Sequence, residues 1–306
     1  MSAASPNTPP TLCLGEALVD LIGEQWVEAM SELHRFRPHF GGTVANVAVA
    51  AARAGAPIAL VGGAGDDEWG RWLADRLRAE GVDVSGFALV PGVNTQLAFV
   101  AVNRAGEPSY ELYGEPVESL VHAVDDRVGP AIAAASGLLI SSNTLAGEQE
   151  RAVTMRAREL ALARECPVVF DCNLRLHRWS SAAEAAASAN ACVPGALLVR
   201  ANQAEAELMT GKGDPEDATL ALCEAGAELV VITLGSGGAI LRGARRADAG
   251  SRPADVLSTL GAGDVFTGVL LARLALGGFD VSAVAPAMEE AAAAAATACE
   301  HWGALD

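Results

Sequence analysis

Gly261-Ala-Gly-Asp264 and the apolar run behind it constrain this chain more than any other stretch. Residues 265–276 read Val-Phe-Thr-Gly-Val-Leu-Leu-Ala-Arg-Leu-Ala-Leu, long and apolar enough for a buried helix, and Gly277-Gly278 stops it. A glycine turn therefore delivers a carboxylate to a helix N-terminus. The free backbone N–H groups and the dipole make such a terminus an anion site. A carboxylate there sits where a phosphate binds, and the two anions repel unless the carboxylate serves as base for a phosphoryl acceptor. The motif thus points to phosphoryl transfer. The plainer account is an ordinary glycine turn with Asp264 as N-cap.

The rest of the chain supplies the frame. Residues 11–14 read as a first buried strand ended by Gly15, and residues 16–22 alternate, placing Asp20 near a strand end. Residues 25–38 mix aromatic, charged and histidine residues without period and read as an exposed flap. Residues 43–54, opened by Gly41-Gly42 and closed by Gly55, are small and apolar and predict a helix with Asn46 on its first turn. A strand at 58–61 and a helix at 69–80 follow. This strand–helix alternation predicts an α/β domain, a parallel sheet with helices on both faces. It breaks at 93–113, where two loosely alternating runs flank a turn at 104–107, the signature of a β-hairpin. Together, residues 17–40 and 93–116 form a small lid built from two excursions. The alternation then resumes, with strands at 138–141, 168–170, 196–199 and 229–233 and helices at 148–165, 182–191 and 204–210. Residues 243–253 read as an exposed loop or hairpin beside Arg242, and a last helix spans 284–300. There is no internal repeat. Ligands gather at the carboxyl ends of parallel strands, so Asp20, Asn143, Asp171, Asn202 and Thr233 are expected to converge on one edge.

At 306 residues the chain suits one large domain over residues 11–306. A net charge of −17 argues against nucleic acid or an anionic membrane as partner. The six cysteines are scattered with no CxxC pair, which predicts buried free thiols in a reducing, cytoplasmic setting and no zinc site. Residues 1–10 are polar and proline-rich and read as a disordered tail rather than a signal peptide. The alanine-rich runs near Ala131 and Ala291 suit closely packed soluble helices, not a membrane span.

Five motifs in order carry a family resemblance. They are Gly41-Gly-Thr-Val-Ala-Asn46 through Gly62-Gly-Ala-Gly-Asp-Asp-Glu-Trp-Gly70; Asp171-Cys-Asn-Leu-Arg175; Asn202-Gln-Ala-Glu205; Thr233-Leu-Gly-Ser-Gly-Gly238; and Thr259-Leu-Gly-Ala-Gly-Asp264 with Phe266 and Gly268. From about Leu12 to the C-terminus the chain resembles the ribokinase-like, or PfkB, carbohydrate kinases. Gly15-Glu-Ala-Leu-Val-Asp20, Leu97-Ala-Phe-Val100 and Gly106-Glu107 are most similar to bacterial fructokinases, with some features shared by 2-keto-3-deoxygluconate kinases. The resemblance implies a ribokinase-like fold, a mostly parallel central sheet with helices on both faces plus the β lid. It also implies transfer of the ATP γ-phosphoryl group to a sugar hydroxymethyl group, with magnesium. The alternatives are a 2-keto-3-deoxygluconate or nucleoside kinase of the same family, or a homologue that binds sugar or nucleotide without efficient transfer.

Roles carry over residue by residue. Asp264 would be the general base, and Gly261, Ala262 and Gly263 would offer N–H groups to the phosphoryl. Asp20, Gly41, Gly42, Asn46, Phe99 and Arg175 would meet the sugar. Asn202, Thr233, Gly235 and Gly238, with Gly261 and Gly263, would line the nucleotide. Asn202 and Glu205 would hold magnesium through water, although the same pair suits a helix cap. Trp26 is placed either over the sugar or in the lid's own packing. His34 and His39 are expected in solvent, His177 at the site mouth and His301 at a helix end. Two residues depart from the family pattern. Ser258 replaces the usual Asp beside the monovalent-cation site of activated members, which speaks against potassium activation and for a weaker anchor of the glycine turn. Cys172 replaces the usual Pro, leaving the turn after Asp171 less fixed. Alternating apolar residues around Phe99 point to a homodimer through the lid's exposed face.

Overall fold

The computed structural model describes residues 8–114, 116–252 and 254–306, so most of the tail expected at 1–10 lies outside the described residues. In chain order the elements are β1 (Thr11–Leu14), β2 (Leu18–Trp26), β3 (Arg37–Gly41), α1 (Thr43–Arg53), β4 (Ile58–Gly65), α2 (Glu68–Ala79) and β5 (Phe87–Val90). Next come β6 (Leu97–Val102), β7 (Pro108–Tyr113), α3 (Val117–His122), α4 (Asp125–Ala134), β8 (Gly137–Ser141), α5 (Glu148–Ala163) and β9 (Val168–Asp171). The chain continues through α6 (Ala182–Asn190), β10 (Leu198–Asn202), α7 (Gln203–Thr210), α8 (Pro215–Glu224) and β11 (Leu229–Thr233). It ends with β12 (Ala239–Gly243), β13 (Ala247–Ala249), α9 (Ala262–Leu276) and α10 (Val284–Cys299).

Nine strands form one sheet in the order β13-β12-β11-β10-β9-β8-β1-β4-β5, parallel from β5 to β11 and antiparallel at β12 and β13. Its strands are apolar on both faces, as a doubly covered parallel sheet requires. Cys13, Leu60, Leu139, Val169 and Val231 face the layer holding α1, α2, α9 and α10. Their neighbours Leu12, Val61, Leu138, Phe170 and Ile232 face the layer of α3 to α8. Helix α9 lies against the sheet and is buried without a break from Asp264 to Ala272, as its all-round apolar sequence predicts.

The second sheet has four strands, β3-β2-β6-β7, drawn from the two excursions expected from the sequence. Two local readings are corrected. Residues 25–38 are not a patternless flap: β2 runs to Trp26, and β3 pairs antiparallel with it from Leu18↔Gly41 to Ile22↔Arg37. Val27 and Leu33 bury against Ala101, so the segment has a small core of its own. Asp20 accordingly sits within β2 of the small sheet, opposite His39, and not at a strand end of the large one. The sequence reading also passed over β5, α3 and α8; the alanine-rich run near Ala131, expected as a helix, lies in α4. Helix α8 carries plain start signals, Asp214 as N-cap and Pro215 in the first turn. Among the described residues no helix is long and apolar enough to cross a membrane. All six cysteines are unpaired.

Candidate active site

The glycine turn is built by four local constraints. Gly261, the N-cap of α9, has φ +73°, a left-handed conformation that glycine adopts without cost. A Cβ there would also lie 2.1 Å from the Ala304 Cβ. Leu260 N–H donates to Ser258 Oγ at 3.1 Å, and Ala262 N–H to Thr259 O at 3.3 Å. These two bonds leave the N–H groups of Gly261 and Gly263 without a partner among the described residues, while that of Ala262 is engaged. Ser258 is fully buried and its hydroxyl anchors the turn. With the usual carboxylate replaced, this one neutral hydroxyl bond is the anchor that Ser258 supplies.

Asp264 follows on the first turn of α9, 4 % exposed. Its Oδ2 accepts from Asn46 Nδ2 and its Oδ1 from Asn173 Nδ2, each at 2.9 Å. Burial drives its carboxyl up to about 7; the Asn46 hydrogen bond, Arg175 and Arg200 oppose that rise, and Asp171 adds to it. Asp20 reaches the same space from the small sheet. Burial and the charge of Asp264 push it up to about 7, against the pull of Arg175 and His39.

Between the two sheets these carboxylates border a cavity with about 70 Å³ of accessible space. Gly42, Asn46 and Arg175 line it as expected. Three buried acceptors on its wall have no partner among the described residues: Glu16 Oε2, Asn46 Oδ1 and Gln96 Oε1. Glu16 is held in place by Thr43 N–H at 2.9 Å and Asn143 Nδ2 at 3.3 Å on its other oxygen. Arg175 lies over the Tyr110 ring, 5.5 Å from its centroid, and makes no ion pair among the described residues. Its guanidinium is free for an incoming anion or hydroxyl. Burial and the charges of Arg175 and Arg178 hold the His177 imidazole below its usual range at the cavity edge.

Other expected residues lie elsewhere. Phe99 does not reach the cavity. Strand alternation puts its neighbour Ala98 on the lining face and Phe99 on the opposite one. There Phe99 packs edge-on against Phe36 and Tyr113, with centroids at 5.0 and 5.3 Å. Gly41 is also outside the lining; a Cβ there would meet Asp20 Oδ2 at 2.3 Å, so its smallness makes room for that carboxylate. Trp26 packs against Trp302 and donates its indole N–H to Leu257 O at 2.9 Å. His39 is buried rather than solvated, set between Glu24 and Asp306 at 3.1 and 2.9 Å. Burial works against its charge, but the two carboxylates prevail and its pKa rises.

The nucleotide-side residues gather at the neighbouring strand ends, apart from the cavity. Asn202 and Thr233 are register partners on β10 and β11. Gly235 has φ +57° and open space where a Cβ would stand, whereas Gly238 is glycine because β13 approaches, its Cβ position being 2.1 Å from Ala249 O. Asn202 and Glu205 form a reciprocal capping box at 2.8 and 2.9 Å, and Glu205 Oε1 also accepts Leu174 N–H at 2.9 Å. Both Glu205 oxygens are thus engaged by backbone. Among the described residues no group of three or more His, Cys, Asp or Glu side chains could enclose a metal ion.

The sequence reading had not singled out Glu16, Gln96, Asn173 and Arg200 as site residues. Arg200 had a legible signal, since an arginine inside the apolar strand Leu198-Val-Arg-Ala-Asn202 is a buried charge requiring a partner.

A base-like carboxylate at a glycine-turned helix start, at the carboxyl edge of a doubly wound sheet and under a second small sheet, defines a kinase of small hydroxylated molecules. The chain belongs to the pfkB family of carbohydrate kinases: the model of the "pfkB family carbohydrate kinase" matches residues 11–306. It is an ATP-dependent carbohydrate kinase. Fructokinase-1 of Zea mays is 33 % identical over 264 residues, covering 85 % of this chain and 81 % of that protein. Probable fructokinase-2 of Arabidopsis thaliana is 32 % identical over 277 residues, 89 % and 84 % of the two chains. Among solved structures, the fructokinase of Vibrio cholerae in its fructose-, ADP- and calcium-bound form superimposes with a TM-score of 0.81, 26 % identity and coverage of 98 % and 95 %. The ribokinase-like fold is shared with a ribokinase II described from E. coli, with a TM-score of 0.85 at 22 % identity over 97 % and 94 %.

Proposed function

We propose that the chain transfers the γ-phosphoryl group of ATP to a hydroxymethyl group of a neutral, fructose-like sugar, with Asp264 as general base. The observation that carries this reading is the set of three buried, unpartnered acceptors, Glu16 Oε2, Asn46 Oδ1 and Gln96 Oε1, grouped around the carboxylates of Asp264 and Asp20. Unpaired buried acceptors call for donors, and a polyol brings hydroxyl donors to several of them at once. The fructokinases among the relatives, and the fructose in the Vibrio cholerae structure, agree with that substrate class.

In the reaction Asp264 accepts the hydroxyl proton as the sugar oxygen bonds to the γ-phosphorus; the bond from that phosphorus to the β–γ bridging oxygen breaks and ADP leaves with the electron pair. Asn46 and Asn173 fix the carboxylate, the Gly261 and Gly263 N–H groups face the transferring phosphoryl, and Arg175 neutralises its charge. Magnesium fits only as an ion held mainly by phosphates and water, since no protein cage for it stands among the described residues. Asn202 and Glu205 would orient its waters, and the ion would neutralise phosphate charge. Arg175, His177 and Arg178 at the cavity edge favour a second reading, a sugar acid such as 2-keto-3-deoxygluconate. The small sheet serves as lid over the sugar. Its outer face, bearing the partly exposed Phe36 and Phe99 and the exposed Tyr113, is where a second copy would pack into a homodimer. A monomeric mass in solution would contradict that pairing.

The test is a coupled ADP-release assay over ketohexoses, aldohexoses, 2-keto-3-deoxygluconate and nucleosides, in potassium and in its absence. Turnover greatest on a ketohexose, nearly independent of potassium, is the expected result. Preference for the sugar acid selects the second reading, and ATP binding without turnover on any acceptor would overturn both.

A further inference from the structure

Behind the glycine turn lies a buried charged pair that the proposed reaction does not use. Arg200 of β10 is 6 % exposed, and its Nη1 lies 3.3 Å from Asp171 Oδ1 of β9. Its Nη2 donates to Thr233 Oγ1 of β11 at 2.9 Å. The other Asp171 oxygen accepts from Thr267 Oγ1, on the same helix as Asp264, at 3.2 Å. The guanidinium also lies against the helix start itself: a Cβ on Gly263 would stand 2.7 Å from Arg200 Nη2 and 2.8 Å from Nη1. Gly263 is therefore glycine partly to admit an arginine, not solely to expose its N–H. Arg200 Nε, in the same buried place, has no partner.

Stability alone does not account for this arrangement. A buried ion pair pays a desolvation cost that its attraction often fails to recover, and apolar residues of similar volume serve a core as well. What the pair does do is tie the ends of β9 and β11 and the middle of β10 to the first turn of α9, the turn that carries both the phosphoryl-facing N–H groups and Asp264. We propose that Arg200 is a positioning residue for phosphoryl transfer: clamped by Asp171 and Thr233 against Gly263, it locks the first turn of α9 in register with β9, β10 and β11 and sets a fixed cation behind the anion site, with Asp171 as its counter-charge. This rests on the reading of Asp264 as the base.

The charged and titratable groups facing Asp264 include Asp20 from β2, Tyr110 from β7, Asp171 from β9, Arg175 from the loop after β9 and Arg200 from β10, and Glu16, His177 and Arg178 stand on the wall of the same cavity. Asn46 and Asn173 are its neutral contacts. Asp171 favours the protonated form of Asp264, and Arg200 favours the ionised form. A base works only when ionised, so activity falls as pH drops through its pKa. Removing the Arg200 charge moves that acid limb to higher pH; removing the Asp171 charge moves it to lower pH. Both changes break the same clamp, so a merely structural role gives no reason for opposite movements.

The experiment measures kcat and kcat/KM for the sugar against pH at saturating MgATP, in the wild type, Arg200→Met, Arg200→Lys, Asp171→Asn and Asp264→Asn, with circular dichroism of each. Arg200→Met should lower kcat roughly tenfold to a hundredfold, as a small displacement of a reacting group does, with sugar KM little changed. Its acid limb should move up by about one pH unit, while Asp171→Asn moves it down. Arg200→Lys, which keeps the charge, should return the limb towards its wild-type position. If Arg200→Met fails to fold, Asp171→Asn and Arg200→Lys decide: an unmoved limb in Asp171→Asn overturns the inference. Limbs that stay fixed or move together in Arg200→Met and Asp171→Asn also overturn it. An acid limb that persists in active Asp264→Asn would instead sink the base assignment, so the two failures are distinguishable.

Discussion

The two sides of Asp264 are built in opposite ways. Towards the cavity, Glu16 Oε2, Asn46 Oδ1 and Gln96 Oε1 are buried acceptors with no donor. Towards the strand ends, Asp171, Thr233, Thr267 and Glu205 are all hydrogen-bonded, and Arg200 keeps only its Nε unpaired. An unpaired buried polar group costs about 1–3 kcal/mol, so a fold carries several together only where something else completes them. On the proposed function, the cavity side is completed by its ligand. The strand-end side is complete but for Arg200 Nε and, in the same reading, serves as the frame against which the ligand reacts. The same contrast separates two glycines of one turn. Gly261 answers to backbone conformation, and Gly263 answers to the arginine packed behind it.

Substitutions on the two sides should therefore fail differently. The largest effect belongs to the residue between them. Asp264→Asn should lower kcat by about 10²–10⁴-fold, the usual worth of a general base, while calorimetry still detects sugar binding. Next comes Asp20→Ala, measured above about pH 8 where Asp20 is ionised, which removes a charged acceptor from the sugar: kcat/KM should fall by roughly tenfold to a hundredfold, since hydrogen bonds to charged groups are worth about 1.5–3 kcal/mol. Most of that loss should sit in KM, unlike the kcat loss of a frame residue. Gln96→Leu should raise sugar KM by about fivefold, one neutral hydrogen bond, and should not lower the melting temperature, because the acceptor it removes is unpaired without ligand. Phe99→Ala should leave sugar KM unchanged, as its ring lies on the outer face of the small sheet. A clear KM effect there would contradict the assignment of the two faces.

The large sheet was legible because doubly buried strands and small-residue helices leave local patterns between glycines. The helix behind the turn and the strand ends carrying Asp171, Asn202 and Thr233 lie where those patterns place them. The small sheet was less legible. Its strand β3 contains Pro38 and charged residues, and its buried His39 is satisfied by Asp306, 267 positions away, a partner that no local pattern announces. Phe99 was misplaced because alternation reveals two faces without saying which one meets the ligand. Gln96 and Glu16 look like any polar residues beside a strand. They become notable only when tertiary closure buries one of their oxygens without a donor. Arg200 is different: a charge in an apolar parallel strand was visible, and only its partners were hidden.

The most direct test of the account is the pH dependence of wild-type kcat/KM for the preferred sugar. With Asp264 driven up to about 7 by burial and required in its ionised form, activity should fall as pH drops below about 7, approaching about tenfold for each further unit. A profile that stays flat from about pH 8 down to about pH 5 would contradict the assignment of Asp264 as the base.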